Sequence, residues 1–140
     1  MVELLQNQKG GFTKIVIVDN LENSSVKVLE RIGEITNTQA GTDFFFEEAD
    51  LRDVVKLESI FTKHAPVHSV IHFAGLKAVG VSVSKPLLYY ENNVGGTIYL
   101  LQMMEKHGCK NIIFSSSATV YGDNPRAKEE DAIYPTNPYG

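Results

Sequence analysis

Two hydrophobic periodicities alternate along the chain. Val2 to Gln6 has the spacing of the end of an amphipathic helix and is followed by a Gly10–Gly11 break. Lys14 to Val18 (KIVIV) is a short β-branched apolar run, which predicts a buried strand. Asp19 to Ser25 (DNLENSS) is polar turn chemistry with several possible helix caps. Apolar residues at 26, 28, 29, 32 and 35 then recur at helical spacing and predict a helix over Val26 to Thr36. Phe44 to Phe46 predicts a second strand, ending at Ala49–Asp50, and the apolar positions of Val54 to His64 predict a helix. Ser69 to Ala74 is a third strand, Leu87 to Gly108 a long helix interrupted by Gly95–Gly96, and Asn111 to Phe114 a fourth strand. From Ser115 onward Pro125, Pro135 and Pro138 mark loop.

Strands alternating with helices, without a repeat or a linker, predict an α/β fold. Its expected form is a parallel doubly wound, Rossmann-type sheet with helices on both faces. The 140 residues suffice for one domain at most, and 43% hydrophobic residues suffice for a core. A net charge of −4 does not advertise nucleic-acid or membrane-surface binding. No apolar run reaches the ~18 residues of a membrane span, and Met1 to Gly10 lacks the pattern of a secretory signal. Cys109 is the one cysteine, so no intrachain disulfide can form. These features together predict a cytoplasmic protein.

Ligands of open α/β sheets bind outside the carboxyl ends of the strands, which directs attention to four segments. Asp19–Asn20 ends the first strand, where a carboxylate can accept from both hydroxyls of a ribose; the competing reading is a helix cap or a solvated turn. Asp50–Leu51 ends the second, suited to adenine or to capping the helix at Val54. Phe73-Ala74-Gly75-Leu76-Lys77 follows the third, and its small residues permit close approach of a flat ligand. His72 before it reads as a core or hydrogen-bonded strand residue. Ser115 to Gly122 (SSSATVYG) follows the fourth, with hydroxyls suited to a sugar or a proton relay, or simply a Ser-rich turn. No G-x-S-x-G supports a hydrolase nucleophile. His64, His68 and His72 cross a helix end and a strand, so no metal site is predicted. A ribose-binding Asp belongs ~20 residues after a G-x-G-x-x-G turn, and counting back from Asp19 passes residue 1. The first strand and its glycine loop are therefore expected to be absent from this chain.

Taken together, VDNLENSS (Val18 to Ser25), VIHFAGLKAVG (Val70 to Gly80), YYENNVGGT (Tyr89 to Thr97), FSSSATVYGDNP (Phe114 to Pro125) and PTNPYG (Pro135 to Gly140) resemble the NAD-dependent UDP-glucose (UDP-galactose) 4-epimerases of the extended short-chain dehydrogenase/reductase superfamily. The resemblance spans nearly the whole chain and implies NAD as cofactor and a UDP-hexose as substrate. It implies that Asp19, Asn20, Leu21, Glu22, Asn23 and Ser24 surround the adenosine ribose and phosphate. Asp50 and Leu51 would contact adenine. Phe73, Ala74, Gly75, Leu76 and Lys77 would line the cofactor with Asn92 nearby. Ser117, Ala118 and Thr119 would face the hexose. Tyr139 matches the tyrosine of the Y-x-x-x-K motif and would be catalytic together with Ser117.

The chemistry so implied is removal of the proton of the hexose 4-hydroxyl, hydride transfer from C4, rotation of the 4-keto sugar and return of hydride to its other face. A free tyrosine titrates near 10, so the motif's lysine favours the phenolate. The chain stops at Gly140, before the position of that lysine, and Val81 replaces the family's usual Glu after AVG. Residues 1–140 are therefore expected to be a partial dinucleotide-binding domain without the substrate domain. The isolated chain is expected to be inactive and its Tyr139 to fray with the terminus, whereas a complete parent enzyme is expected to be a homodimer. Two alternatives remain: a non-catalytic interaction module, and a nucleotide-sugar 4,6-dehydratase. The latter needs an acid/base pair where this chain has Ser117-Ala118-Thr119.

Overall fold

The computed structural model describes residues 1–6 and 14–140, which form two compact units, Met1–Asp50 and Leu51–Gly140. The Gly10–Gly11 break lies outside the described residues.

The first unit contains α1 (Val2–Gln6), β1 (Ile15–Asp19), α2 (Lys27–Thr36) and β2 (Phe44–Glu48). β1 and β2 pair in parallel, Ile15 opposite Phe44 and Asp19 opposite Glu48, with α2 as the crossover that a parallel pair requires. Phe44 is fully buried, and the Lys14 ammonium lies 4.7 Å above the Phe45 ring. Asn37 ends α2 in the left-handed conformation (φ 53°) and donates its N–H to Gly33 O. The return is tight enough that a Cβ on Gly33 would lie 2.7 Å from Thr38 O, which is why glycine stands there. Gln6 Nε2 donates to Ile35 O across α1 and α2.

The second unit contains α3 (Val54–Lys63), β3 (Ser69–His72), α4 (Val79–Ser84), α5 (Pro86–Tyr89), a π-helical turn (Tyr90–Gly95), α6 (Gly96–Lys106), β4 (Asn111–Phe114) and a 3-10 turn (Ala118–Tyr121). β3 and β4 pair in parallel from Ser69–Asn111 to His72–Phe114, and Asn111 Nδ2 fixes the register by donating to His68 O. The core joins Leu57 and Phe61 of α3 to Leu100, Met103 and Met104 of α6 and to Cys109, with Val70 of β3 packed against them. The Glu58 and Lys106 side chains pair across α3 and α6. The hydrogen bond and charge of Lys106 hold the Glu58 carboxyl below its ordinary value.

Every strand pair is parallel and helices connect them, as the alternation of patterns predicts. Four details differ. Burial is lighter than the apolar runs suggest: α3 and α6 cover the Val70/His72 side of the β3–β4 pair, while Ile113 remains 65% exposed. The interruption of the long helix is a π-turn that precedes Gly96, and Gly96 instead lets Leu51 pack closely, since a Cβ there would sit 3.3 Å from Leu51 Cβ. α4 has no periodic apolar face, only the alternation VGVSVS, so its helicity comes from context. Its Ser82 is buried and closes on Val79 O.

The core assignment predicts that Leu100→Ala costs about 2–5 kcal/mol, whereas Val55→Ala, at a position 81% exposed, changes stability by no more than about 0.5 kcal/mol. Urea titration of both variants by circular dichroism checks the contrast.

Candidate functional site

The strand-end residues of the first unit form one hydrogen-bonded loop. Asp19 Oδ1 accepts from Leu21 N and from Ser24 Oγ, both at 2.8 Å, which leaves Oδ2 without a partner among the described residues. Asn20 Oδ1 accepts from Glu22 N at 3.2 Å, and Asn20 Nδ2 donates to Asp50 Oδ2 at 3.1 Å. Leu21 takes a positive φ of 58°, which turns the chain sharply enough to close this loop. Asp19, Asn20 and Asp50 are thereby held together, while Glu22, Asn23 and Ser24 stand exposed beside them. A carboxylate with one oxygen committed to its own turn and the other open suits a vicinal diol. The cap at Val54 is made by Asp53, whose Oδ1 accepts from Lys56 N, so Asp50 is not the cap.

In the second unit, Phe73, Ala74, Gly75 and Lys77 are exposed and Leu76 half-buried. Their backbone is fixed by a residue that sequence reasoning passed over. Asn93 Oδ1 accepts from Leu76 N and Asn93 Nδ2 donates to Leu76 O, both at 2.8 Å. Asn92, the residue singled out from sequence, donates from Nδ2 to Asn93 Oδ1 and so supports this clasp. The π-turn that carries both asparagines is itself held from below. Thr97 Oγ1 donates to Asn93 O at 2.6 Å and lies 2.9 Å from His72 Nε2. The hydroxyl has one proton, given to Asn93 O, so His72 Nε2 carries the proton of the second bond. Burial pushes the His72 imidazole below its ordinary value. Leu51 turns its side chain to Gly96.

The hydroxyl turn and the segment that carries the tyrosine also meet in this unit, through Gly140 and Thr119. Ser117 Oγ accepts from Thr119 N at 3.2 Å and lies 2.8 Å from Thr119 Oγ1. Ala118 is exposed beside them. Asn137 Oδ1 accepts from the N–H groups of both Tyr139 and Gly140 at 3.1 Å. Gly140 lies so close to the 3-10 turn that a Cβ would come within 2.6 Å of Thr119 O. Tyr139 is half-buried, its ring meeting that of Tyr89 edge to face at 6.3 Å. The tyrosine expected to fray is therefore anchored, because Asn137 and Tyr89 hold its backbone and ring.

Comparison with known proteins places these segments in context. The family model described as GDP-mannose 4,6 dehydratase matches residues 1–140. The chain is 50% identical over 139 residues to UDP-glucose 4-epimerase 2 of Arabidopsis thaliana, covering 98% of this chain and 39% of that protein. It is 50% identical over 141 residues to UDP-glucose 4-epimerase of Bacillus subtilis, again covering 39% of the relative. The crystal structure of UDP-glucose 4-epimerase from Bifidobacterium longum in complex with NAD+ and UDP superposes with a TM-score of 0.86 at 45% identity, over 99% of this chain and 39% of that one. The chain thus spans about two fifths of the length of these relatives, and its fold matches the Rossmann-type part of such enzymes.

Two outcomes follow from the geometry. Asn93→Leu removes both bonds to Leu76 and is expected to cost about 2 kcal/mol, with the Leu76 amide losing hydrogen-exchange protection ahead of the core amides. Acidification is expected to weaken the fold through His72. Its folded value is lowered, so its contribution is complete above the unfolded value of about 6.5 and is lost as pH falls through the folded value. In His72→Gln this part of the pH dependence should disappear from urea midpoints measured between pH 7.5 and 5.

Proposed function

As the chain belongs to the family that the GDP-mannose 4,6-dehydratase model describes, the extended short-chain dehydrogenase/reductases, we propose that residues 1–140 carry the dinucleotide-binding and proton-transferring part of a UDP-glucose 4-epimerase. The observation that carries the reading is the meeting of Ser117, Thr119 and the Asn137–Gly140 segment at the carboxyl end of β4. Two hydroxyl groups and a phenol on supported backbone suit proton exchange with a sugar hydroxyl.

NAD fits the residues present. In the first unit the open Oδ2 of Asp19 suits ribose hydroxyls and Asp50 suits adenine; in the second, taken by itself, the Leu51 backbone suits adenine and the exposed Phe73–Lys77 strip with Asn92 suits other parts of a dinucleotide. When bound, NAD supplies a hydride acceptor and donor for C4 of the hexose. The chain's own residues do the remaining work. The Tyr139 phenolate takes the proton of the 4-hydroxyl and returns it later. Ser117 Oγ accepts from Thr119 N–H, and with Thr119 Oγ1 as the donor of the second bond its own hydrogen is free for the same sugar oxygen. A lysine in the Y-x-x-x-K position would supply the cation that favours the phenolate.

A 4,6-dehydratase reading is weaker despite the name of the family model. Elimination of water across C5 and C6 needs a carboxylic acid and base beside the sugar, and Ser117-Ala118-Thr119 offers neither. The active protein is proposed to be a cytoplasmic homodimer. Leu87, Val94, Ile98 and Leu101, exposed along α5, the π-turn and α6, support a partner surface, and no helix among the described residues is long and apolar enough to cross a membrane.

A chimera tests the proposal, with residues 1–140 exchanged for the matching part of the Bifidobacterium longum enzyme. It should interconvert UDP-glucose and UDP-galactose. Tyr139→Phe should lower kcat by about 10²–10⁴-fold, and Ser117→Ala should lower it less. Full rate in Tyr139→Phe, or release of a 4-keto-6-deoxy sugar as product, would overturn the reading.

A further inference from the structure

Tyr89 lies at the end of α5, one residue before the π-turn, and is only 2% exposed. A tyrosine that merely fills a core needs no hydroxyl, and burying one without a partner is costly. Here the hydroxyl donates to Ala78 O at 2.8 Å. Ala78 follows Lys77 directly and precedes α4, so this bond holds Tyr89 to the end of the Phe73–Lys77 strip. The other face of the residue is turned to Tyr139: the ring centroids are 6.3 Å apart and the planes inclined at 73°. That is the edge-to-face arrangement aromatic quadrupoles favour.

We propose that Tyr89 is a positioning residue, which sets the orientation of the Tyr139 ring and ties it to the Phe73–Lys77 strip through Ala78. The inference rests on the assignment of proton transfer to Tyr139. Asn137 fixes the backbone at Tyr139 and Gly140, which leaves the two side-chain torsions of Tyr139 free. The Tyr89 ring restrains them, and the Ala78 bond in turn fixes the depth and rotation of Tyr89. Movement at the strip beside the proposed cofactor is thereby felt at the proposed base, and a phenol must be placed within tenths of an ångström to exchange a proton efficiently.

Nuclear magnetic resonance on the tyrosine-labelled 140-residue chain tests the contact, with Tyr139 assigned by Tyr139→Phe. A nuclear Overhauser effect between the two rings is expected, and its absence overturns the proposal whatever the variants do. In Tyr89→Leu the Tyr139 ring signals should move to the positions of a free tyrosine, and Tyr89→Phe, which keeps the ring but loses the bond to Ala78 O, should restore them only in part. In the chimera Tyr89→Leu should lower kcat about tenfold, the limit of one aromatic pair, with KM for UDP-glucose unchanged and part of the rate recovered by Tyr89→Phe. Unmoved Tyr139 signals or an unchanged kcat in a folded Tyr89→Leu protein overturns the positioning role. Tyr139→Phe run in parallel separates the two readings: full rate there overturns the assignment of Tyr139 itself, whereas lost rate there with full rate in Tyr89→Leu overturns the role of Tyr89 alone.

Discussion

The grip of one asparagine amide on the backbone of one loop residue organises the second unit. Asn93 satisfies both backbone polar groups of Leu76, a residue in a loop with no ladder of its own. Without that partner the exposed strip from Phe73 to Lys77 would be a flexible connection between β3 and α4. The amide reaches Leu76 from a π-turn, a rare geometry that frequently occurs at functional sites. Thr97 Oγ1 donates to Asn93 O in this turn, and His72 supports Thr97. A strand residue, a helix hydroxyl and a loop are thus joined in one chain of hydrogen bonds. Burial lowers the His72 imidazole below its ordinary value and so disfavours a charge beneath the strip.

Most of the fold was legible because its elements are short and strongly patterned. KIVIV, FFF, SVIH and NIIF are strands by composition alone, and the faces of α2, α3 and α6 follow helical spacing. Other parts escaped for identifiable reasons. α4 reads VGVSVS, whose alternation suggests a strand, and its context overrides that preference. The π-turn has no signature in the sequence, so the Gly95–Gly96 pair drew attention that belonged to Asn93. Gly96 is small because Leu51 packs on it, a long-range contact that no local pattern reveals.

Residues of the candidate site were legible to different degrees. Asp19 and Asp50 stand at strand ends, where α/β folds bind ligands, and the link between them through Asn20 was not visible beforehand. Ser117 and Thr119 were conspicuous as hydroxyls after a strand, and their mutual bond makes one a support for the other. Tyr139 drew notice only through resemblance. What holds it, Asn137 and Tyr89, is separated from it by two residues in one case and fifty in the other. Sequence spacing shows the first of these as an Asx turn, while the second belongs to tertiary packing.

In the proposed mechanism a phenol and a serine hydroxyl exchange protons with one shared sugar oxygen, and a crystal structure of the chimera with NAD and UDP-glucose tests this directly. Tyr139 Oη and Ser117 Oγ should both lie within about 2.6–3.2 Å of the hexose O4, with the Tyr139 ring still edge-on to Tyr89. A complex in which the hexose sits at this turn and O4 faces neither hydroxyl would contradict the account.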